Sequence, residues 1–200
     1  MSLLIPQAQP LADLLAAELT MRPGRRSTRS GRRAAVLLAF FDHEGAAHTL
    51  LTKRSTNLSI HRGQVSLPGG GIEPSDASIP DAALRESHEE LGIEPATVRV
   101  LGVLDDVPTA VSDFVVTPVI GFLPARPATV PNPAEVQRVM EVTLQEILDI
   151  DLALPPNADV ATLRYPLDGE DVWGATARIL RVFSRVTRRA LESGHTAADR

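Results

Sequence analysis

Glu86, Glu89 and Glu90 have the residue type and spacing for metal chemistry. In a helix turning by about 100° per residue, they fall at roughly 0°, −60° and +40°, within one sector about 100° wide. Leu84, His88 and Leu91 fall on the opposite side, where packing is the expected role of His88. Three carboxylates gathered this way repel one another unless water or a cation screens them. Oxygen-rich clusters suit hard divalent ions such as Mg²⁺ or Mn²⁺. Taken alone, E-x-x-E-E is better read as a solvated acidic face. Upstream context favours the metal, because Leu67-Pro68-Gly69-Gly70-Gly71 leads toward the helix. Glycines let backbone pass close to a ligand and present carbonyls or amides where side chains would clash. Arg85, about 100° from Glu86 around the helix, is free to tie this loop down through a carboxylate such as Asp76 or Glu73.

The acidic stretch needs elements to hold it. Residues 81–91 have helix-forming composition and stop at Gly92. Residues 34–41 and 47–53 are apolar runs joined by Asp42-His43-Glu44-Gly45, a strand pair. Residues 98–107, 114–123 and 135–142 read as further strands, and 144–148 as a helical turn. Residues 161–165 and 171–173 make a hairpin, with Trp173 expected in the core or packed at the next helix start. Residues 174–192 carry Ala177, Leu180, Val182, Phe183 and Val186 in a helical pattern, and 10–19 form a short amphipathic helix behind Pro10. Between this helix and the first strand lie Arg22, Arg25, Arg26, Arg29, Arg32 and Arg33. That segment reads as a solvated, mobile loop, or functionally as a flap that attracts anions. Irregular mixing of strands and helices favours a mixed sheet covered by helices over a doubly wound parallel sheet. The resulting organisation is an N-terminal helix and flexible arginine-rich segment over 1–33, one domain over 34–192, and a disordered tail over 193–200.

Composition narrows the function. At 44% hydrophobic and 22% charged residues the 200-residue chain is an ordinary globule, which excludes a wholly disordered protein. The absence of cysteine removes disulfides, thiolate zinc sites, iron–sulfur clusters and cysteine nucleophiles. A net charge of −5 leaves no basic excess for general nucleic-acid binding. The apolar run 34–41 is far short of the roughly 20 residues of a membrane-spanning helix, and no export signal opens the chain. A cytoplasmic protein without membrane or nucleic-acid partners is the expectation.

The acidic stretch also carries a resemblance. Gly70, Asp76 and Arg85-Glu86-Ser87-His88-Glu89-Glu90-Leu91-Gly92-Ile93 are similar to the box of Nudix hydrolases, G-x5-E-x7-R-E-U-x-E-E-x-G-U, where U is aliphatic. Asp76 replaces a glutamate, one extra residue precedes Arg85, and Ser87 stands at an aliphatic position. Every acidic helix position is intact. A second set of residues resembles the coenzyme A pyrophosphatase branch of that family. These are Leu50-Leu51-Thr52-Lys53-Arg54-Ser55, Leu58, Arg62-Gly63-Gln64-Val65-Ser66 and Leu67-Pro68-Gly69-Gly70, with residues 109–118 and 171–177. Leu67 stands where phenylalanine is usual. The likeness runs from about residue 34 to 186.

The resemblance implies an α/β (α+β) fold, a Nudix-type α/β/α sandwich with a mixed β-sheet. It implies hydrolysis of a small-molecule nucleoside diphosphate derivative, coenzyme A first, to 4′-phosphopantetheine and adenosine 3′,5′-bisphosphate. Another diphosphate substrate such as an ADP-sugar or dinucleotide is the alternative, followed by a non-catalytic nucleotide-sensing domain. Implied metal ligands for Mg²⁺ or Mn²⁺ are Glu86, Glu89, Glu90 and the Gly69 carbonyl. The catalytic set is Glu86, Glu89, Glu90 and Glu135, with Glu86 and Glu135 the two options for the base. Arg54 and Arg62 are expected to grip substrate phosphates, including the 3′-phosphate, with Gly70 beside them and His61 a possible assistant to Arg62. Assembly is left open, a homodimer among the options.

Overall fold

In the computed structural model, which describes residues 4–56, 63–109, 113–155 and 157–198, alternation along one strand divides the core in two. On β1 (Arg32–His43), Ala35, Leu37, Ala39 and Phe41 face one side of the sheet, while Ala34, Leu38 and Phe40 face the other. β1 continues into β2 (Ala46–Arg54) through a hairpin at Glu44 and Gly45, both at positive φ. Then come β3 (Val65–Ser66), β4 (Gly69–Gly71), β5 (Arg99–Val103), β6 (Val107–Pro108), β7 (Phe114–Phe122) and β8 (Val136–Thr143). These eight strands form one sheet with the central order β3-β2-β1-β7-β5; β4, β6 and β8 pair with β1, β7 and β2. β1 and β7 are parallel and the other pairs antiparallel, so the sheet is mixed.

Helices cover both faces. α1 (Ala8–Met21) buries Leu11, Ala12, Leu15 and Leu19 against the Leu38 side, beside α4 (Gly174–Ala198) with Leu180 and Phe183. α2 (Ile79–Leu91) buries Ala82, Ala83 and Leu91 against the Leu37 side. The mixed sheet between helical layers is the expected α/β/α sandwich. Among the described residues no helix is long and apolar enough to cross a membrane.

Several local expectations shift. The stretch read as one strand over 98–107 breaks into β5 and β6, and the turn at 144–148 is a full helix, α3 (Leu144–Ala153), capped by the Thr143 hydroxyl. Helix α4 passes the expected stop at 192, so residues 193–198 are helical where a disordered tail was expected. Gly194 packs on Leu14 of α1 (an added Cβ would meet its Cδ2 at 2.7 Å), and this contact carries the helix through a poor helix former. Residues 22–30 form no helix or strand, but they lie along β5 and β6: Arg25 pairs with Asp105 at 3.0 Å and Arg26 with Asp106 at 2.6 Å. The expected hairpin forms, but its first strand runs later than 161–165 and its turn is tighter, giving β9 (Arg164–Leu167) and β10 (Glu170–Trp173), and Trp173 is 45% exposed under the Arg164 guanidinium rather than in the core.

Glu18 joins the two helices of the Leu38 side. Its side chain is 1% exposed and accepts from Arg22 at 2.8 Å and Arg189 at 2.9 Å. Burial pushes its pKa up, but the hydrogen bonds from Arg189 and Arg22 outweigh burial and hold it below its ordinary value. A depressed carboxylate contributes stability above its unfolded value of 4.5 and loses it as pH falls through the folded value. Glu18→Gln is therefore expected to lower the melting temperature by about 3–8 °C at pH 7 and by much less at pH 3. Thermal melts across that range check both points.

Candidate active site

Local chemistry sets α2. Ser78 caps its start by accepting from the Asp81 N–H at 3.2 Å, Pro80 lies in the first turn, and Gly92 ends it at φ 69°. Ser87, at the usually aliphatic position, is fully buried and satisfies its hydroxyl by donating to the Ala83 carbonyl at 2.7 Å. With Ser87 buried, Glu86 and Glu90 lie against the glycine loop. His88 is exposed, its Nδ1 3.2 Å from the Ile93 carbonyl, so it does not pack as expected.

The loop meets the helix through bare backbone. Gly69–Gly71 pairs with residues 34–36 of β1, and a Cβ on Gly70 would lie 2.3 Å from Glu86 Oε2. Only glycine leaves that carboxylate its place. The Gly69 N–H donates to Glu90 Oε2 at 3.1 Å, and Arg54 Nη1 stands 3.6 Å from Glu90 Oε1. Arg54 Nε is buried and, among the described residues, has no hydrogen-bond partner.

Glu135 enters from the linker before β8. The Asn132 N–H binds the Glu90 carbonyl at 2.9 Å, the Asn132 amide donates to Glu135 Oε1 at 3.2 Å, and the Ser55 N–H donates to the Glu135 carbonyl at 2.7 Å. These bonds hold Glu135 within electrostatic range of Glu86 and Glu90. Asn132 is the member that the sequence reading missed; in a proline-rich linker it carries no signal of its own.

The electrostatics follow from crowding in a half-buried place. Burial pushes Glu90 up to about 7, against the Gly69 N–H and the Arg54 charge, with Glu135 and Glu86 pushing further. Burial also raises Glu86, opposed by Arg85 and reinforced by Glu89 and Glu135. Arg85 binds Asp76 at 2.9 and 3.1 Å and the Gly71 carbonyl at 3.0 Å, so the loop is tied to the helix as expected. It also reaches Glu86 at 3.0 Å and Glu89 at 3.2 Å. Glu89 is drawn toward Arg85 and its side chain is 53% exposed.

Among the described residues, no three acidic or histidine side chains close on one point as a ready metal cage. The donor set still fits a hard divalent ion. Glu86 and Glu90 are carboxylates one turn apart, both raised by burial, beneath a backbone that admits no side chain. A cation there would offset the charge that burial disfavours. Arg62 and His61 lie outside the described residues.

The chain is similar to proteins already known. A NUDIX domain family model matches residues 31–163. An uncharacterized Nudix hydrolase, NudL, of Pectobacterium atrosepticum is 37% identical over 181 residues, covering 88% of this chain and 93% of its own length. Its counterpart in an Enterobacter species is 38% identical over 189 residues, covering 86% and 91%. Among solved structures, the NUDIX domain of Shewanella oneidensis NrtR complexed with ADP ribose has a TM-score of 0.54 at 18% identity, covering 88% of this chain and 97% of its own. A MutT protein from Methanosarcina mazei Go1 has a TM-score of 0.51 at 20% identity, covering 86% and 97%. At those identities the two structures speak for the fold.

Proposed function

The chain belongs to the Nudix hydrolase family, and from that premise we propose that it cleaves the diphosphate bond of coenzyme A or its derivatives. Water attacks one phosphorus, and the products are 4′-phosphopantetheine and adenosine 3′,5′-bisphosphate. The observation that carries the reaction class is the Glu86–Glu90 pair set against Gly69–Gly71, with the Arg54 guanidinium beside it. The coenzyme A assignment rests on the likeness of residues 50–70, 109–118 and 171–177 to that branch.

Glu86 and Glu90 would hold Mg²⁺ or Mn²⁺, with Glu89 and the Gly69 carbonyl completing the shell. When bound, the metal neutralises the diphosphate oxygens and lowers the pKa of water. The chain's own residues do the rest. Arg54, at 3.6 Å from Glu90, grips the diphosphate, and the likeness to the coenzyme A branch assigns Arg62 to a substrate phosphate. Glu86 or Glu135 takes the proton of the attacking water; the Glu86 carboxyl is raised by burial, with the charges of Glu89 and Glu135 adding to it. Retention of all three helix carboxylates favours an enzyme over a non-catalytic sensor.

A product assay tests the reading. Coenzyme A, dephospho-coenzyme A, ADP-ribose and a dinucleoside polyphosphate are each incubated with Mg²⁺ or Mn²⁺, and products are separated by chromatography. Coenzyme A is expected to give adenosine 3′,5′-bisphosphate at the highest kcat/KM. Preference for ADP-ribose or the dinucleotide would move the protein to another substrate branch, and cleavage of none would remove the enzymatic reading.

A further inference from the structure

Every polar group of Asn132 is engaged. Its N–H binds the Glu90 carbonyl at 2.9 Å, and its carbonyl accepts from the N–H groups of Glu135 at 3.0 Å and Val136 at 2.8 Å. Its side-chain oxygen accepts from the Ala134 N–H at 3.1 Å, closing an Asx turn over Pro133. That bond fixes which way the amide faces, because an N–H needs an acceptor. Nδ2 is therefore the atom turned to Glu135 Oε1, at 3.2 Å. The main chain of this one residue fastens the linker to the acidic helix, while its side chain holds the Glu135 carboxylate.

The other side of Glu135 is fastened to the same place. The Ser55 N–H donates to the Glu135 carbonyl at 2.7 Å, and Arg54, the residue before Ser55, stands 3.6 Å from Glu90. The strand that Glu135 leads into carries a bulge at this point. Lys53 pairs with Arg138 but Arg54 with Val136, an extra residue that re-aims the chain beside the arginine. Glu135 is thus held from both sides by segments that contact Glu90. Glu86 is held differently: the Arg85 guanidinium binds it at 3.0 Å and the Gly70 backbone lies against it. A neutral amide orients a carboxylate without cancelling its charge, which a guanidinium does. With Oε1 taken by the amide, the position of Oε2 follows.

We propose that Asn132 is a positioning residue, whose side-chain amide sets Glu135 to take the proton of the attacking water. The inference rests on the proposed function and chooses between its two bases. In that step the water oxygen bonds to phosphorus as its proton passes to Glu135. The bond from phosphorus to the bridging oxygen breaks, and its electron pair leaves on that oxygen. Asparagine suits both of its tasks. Aspartate keeps the acceptor for Ala134 but turns a second oxygen on Glu135, and serine keeps the turn but is too short to reach Glu135.

The test is a double-mutant cycle between Asn132 and Glu135, run on whichever diphosphate the parent cleaves. Glu135→Gln should lower kcat by about 10²–10⁴-fold. Asn132→Ser should lower kcat about tenfold with KM within about threefold of the parent, and Asn132→Asp should lower kcat further, because a carboxylate then faces Glu135. In the Glu135→Gln background, Asn132→Ser should change kcat less than about twofold. Mn²⁺ affinity of the substrate-free protein, read by calorimetry, should stay within about threefold of the parent in Asn132→Ser, since the bond to Glu90 is made by the main chain. Equal losses of kcat in both backgrounds, or a loss of Mn²⁺ affinity that matches the loss of kcat, would overturn the inference and place the effect of Asn132 on the acidic helix. A lowered melting temperature with parental kcat would overturn it too, leaving Asn132 a structural residue. Parental kcat in Glu135→Gln would give the proton to Glu86, which removes the inference but leaves hydrolysis standing. Cleavage of a diphosphate other than coenzyme A, with the cycle coupled as expected, removes only the substrate assignment. No cleavage of any diphosphate removes the proposed function and the inference with it.

Discussion

Glu90→Gln should lower turnover of the diphosphate substrate by about 10²–10³-fold while the protein stays folded. The side chain is 3% exposed, and glutamine fills the same volume. Its amide oxygen can still accept from the Gly69 N–H, so the contact between loop and helix survives. What disappears is the negative charge that would hold a divalent ion against the diphosphate. Burial already disfavours that charge, pushing the carboxyl up to about 7. Removing it therefore leaves the melting temperature of the metal-free protein unchanged or higher. Glu86→Gln should show the same loss of turnover, since the Gly70 backbone sits directly against that carboxylate. The checks are kcat at saturating Mg²⁺ and melting curves of each variant with and without metal. Parental turnover in both variants would remove the metal assignment, whereas a large fall in stability would make these carboxylates structural.

The contrast between Glu90 and Glu89 shows how far the sequence reaches. Helical periodicity puts both on the same sector, and that much is local. Which one is buried depends on partners distant in sequence. Glu90 meets the Gly69 N–H from β4, Arg54 from the end of β2 and Asn132 from the linker, whereas Glu89 meets only Arg85 among these charged and polar groups. The strand Gly69–Gly71 was illegible for a related reason. Glycine has little strand propensity, and β4 exists because β1 has an open edge to fill. β2 pairs with β1 only as far as Phe40 and Thr49, then follows β8, which leaves residues 34–36 for the glycines. Trp173 failed on alternation: once Tyr165 and Val172 pair across the hairpin and face the core, the next residue must face out. The sandwich itself was readable because its strands and helices are long and patterned. Its junctions depend on register, which a single sequence does not display.

Arg85→Ala is the substitution expected to damage stability and activity together. Arg85 binds both oxygens of Asp76, the Gly71 carbonyl, Glu86 and Glu89, so one guanidinium joins the glycine loop to the acidic helix. These partners, Asp76 first, raise its pKa well above the ordinary arginine value, while Arg85 holds the Asp76 carboxyl below the ordinary aspartate range. The extra residue between Asp76 and Arg85, relative to the family spacing, leaves this bridge intact because the intervening turn absorbs it. Without Arg85, Asp76 keeps a charge in a side chain that is 4% exposed, and Glu86 loses the cation that offsets its neighbours. A fall of about 5–10 °C in melting temperature and at least a tenfold fall in kcat are expected, because the loop no longer sets Gly69 and Gly70 against the carboxylates. Arg85→Lys should recover only part of each, since a point charge cannot span Asp76 and Gly71 at once. The deciding measurement is a double-mutant cycle. If Arg85 acts by tying down Asp76, then Arg85→Ala should cost much less stability in an Asp76→Asn background. Additive losses, with kcat falling as far in both backgrounds, would place Arg85 on the substrate instead of the loop.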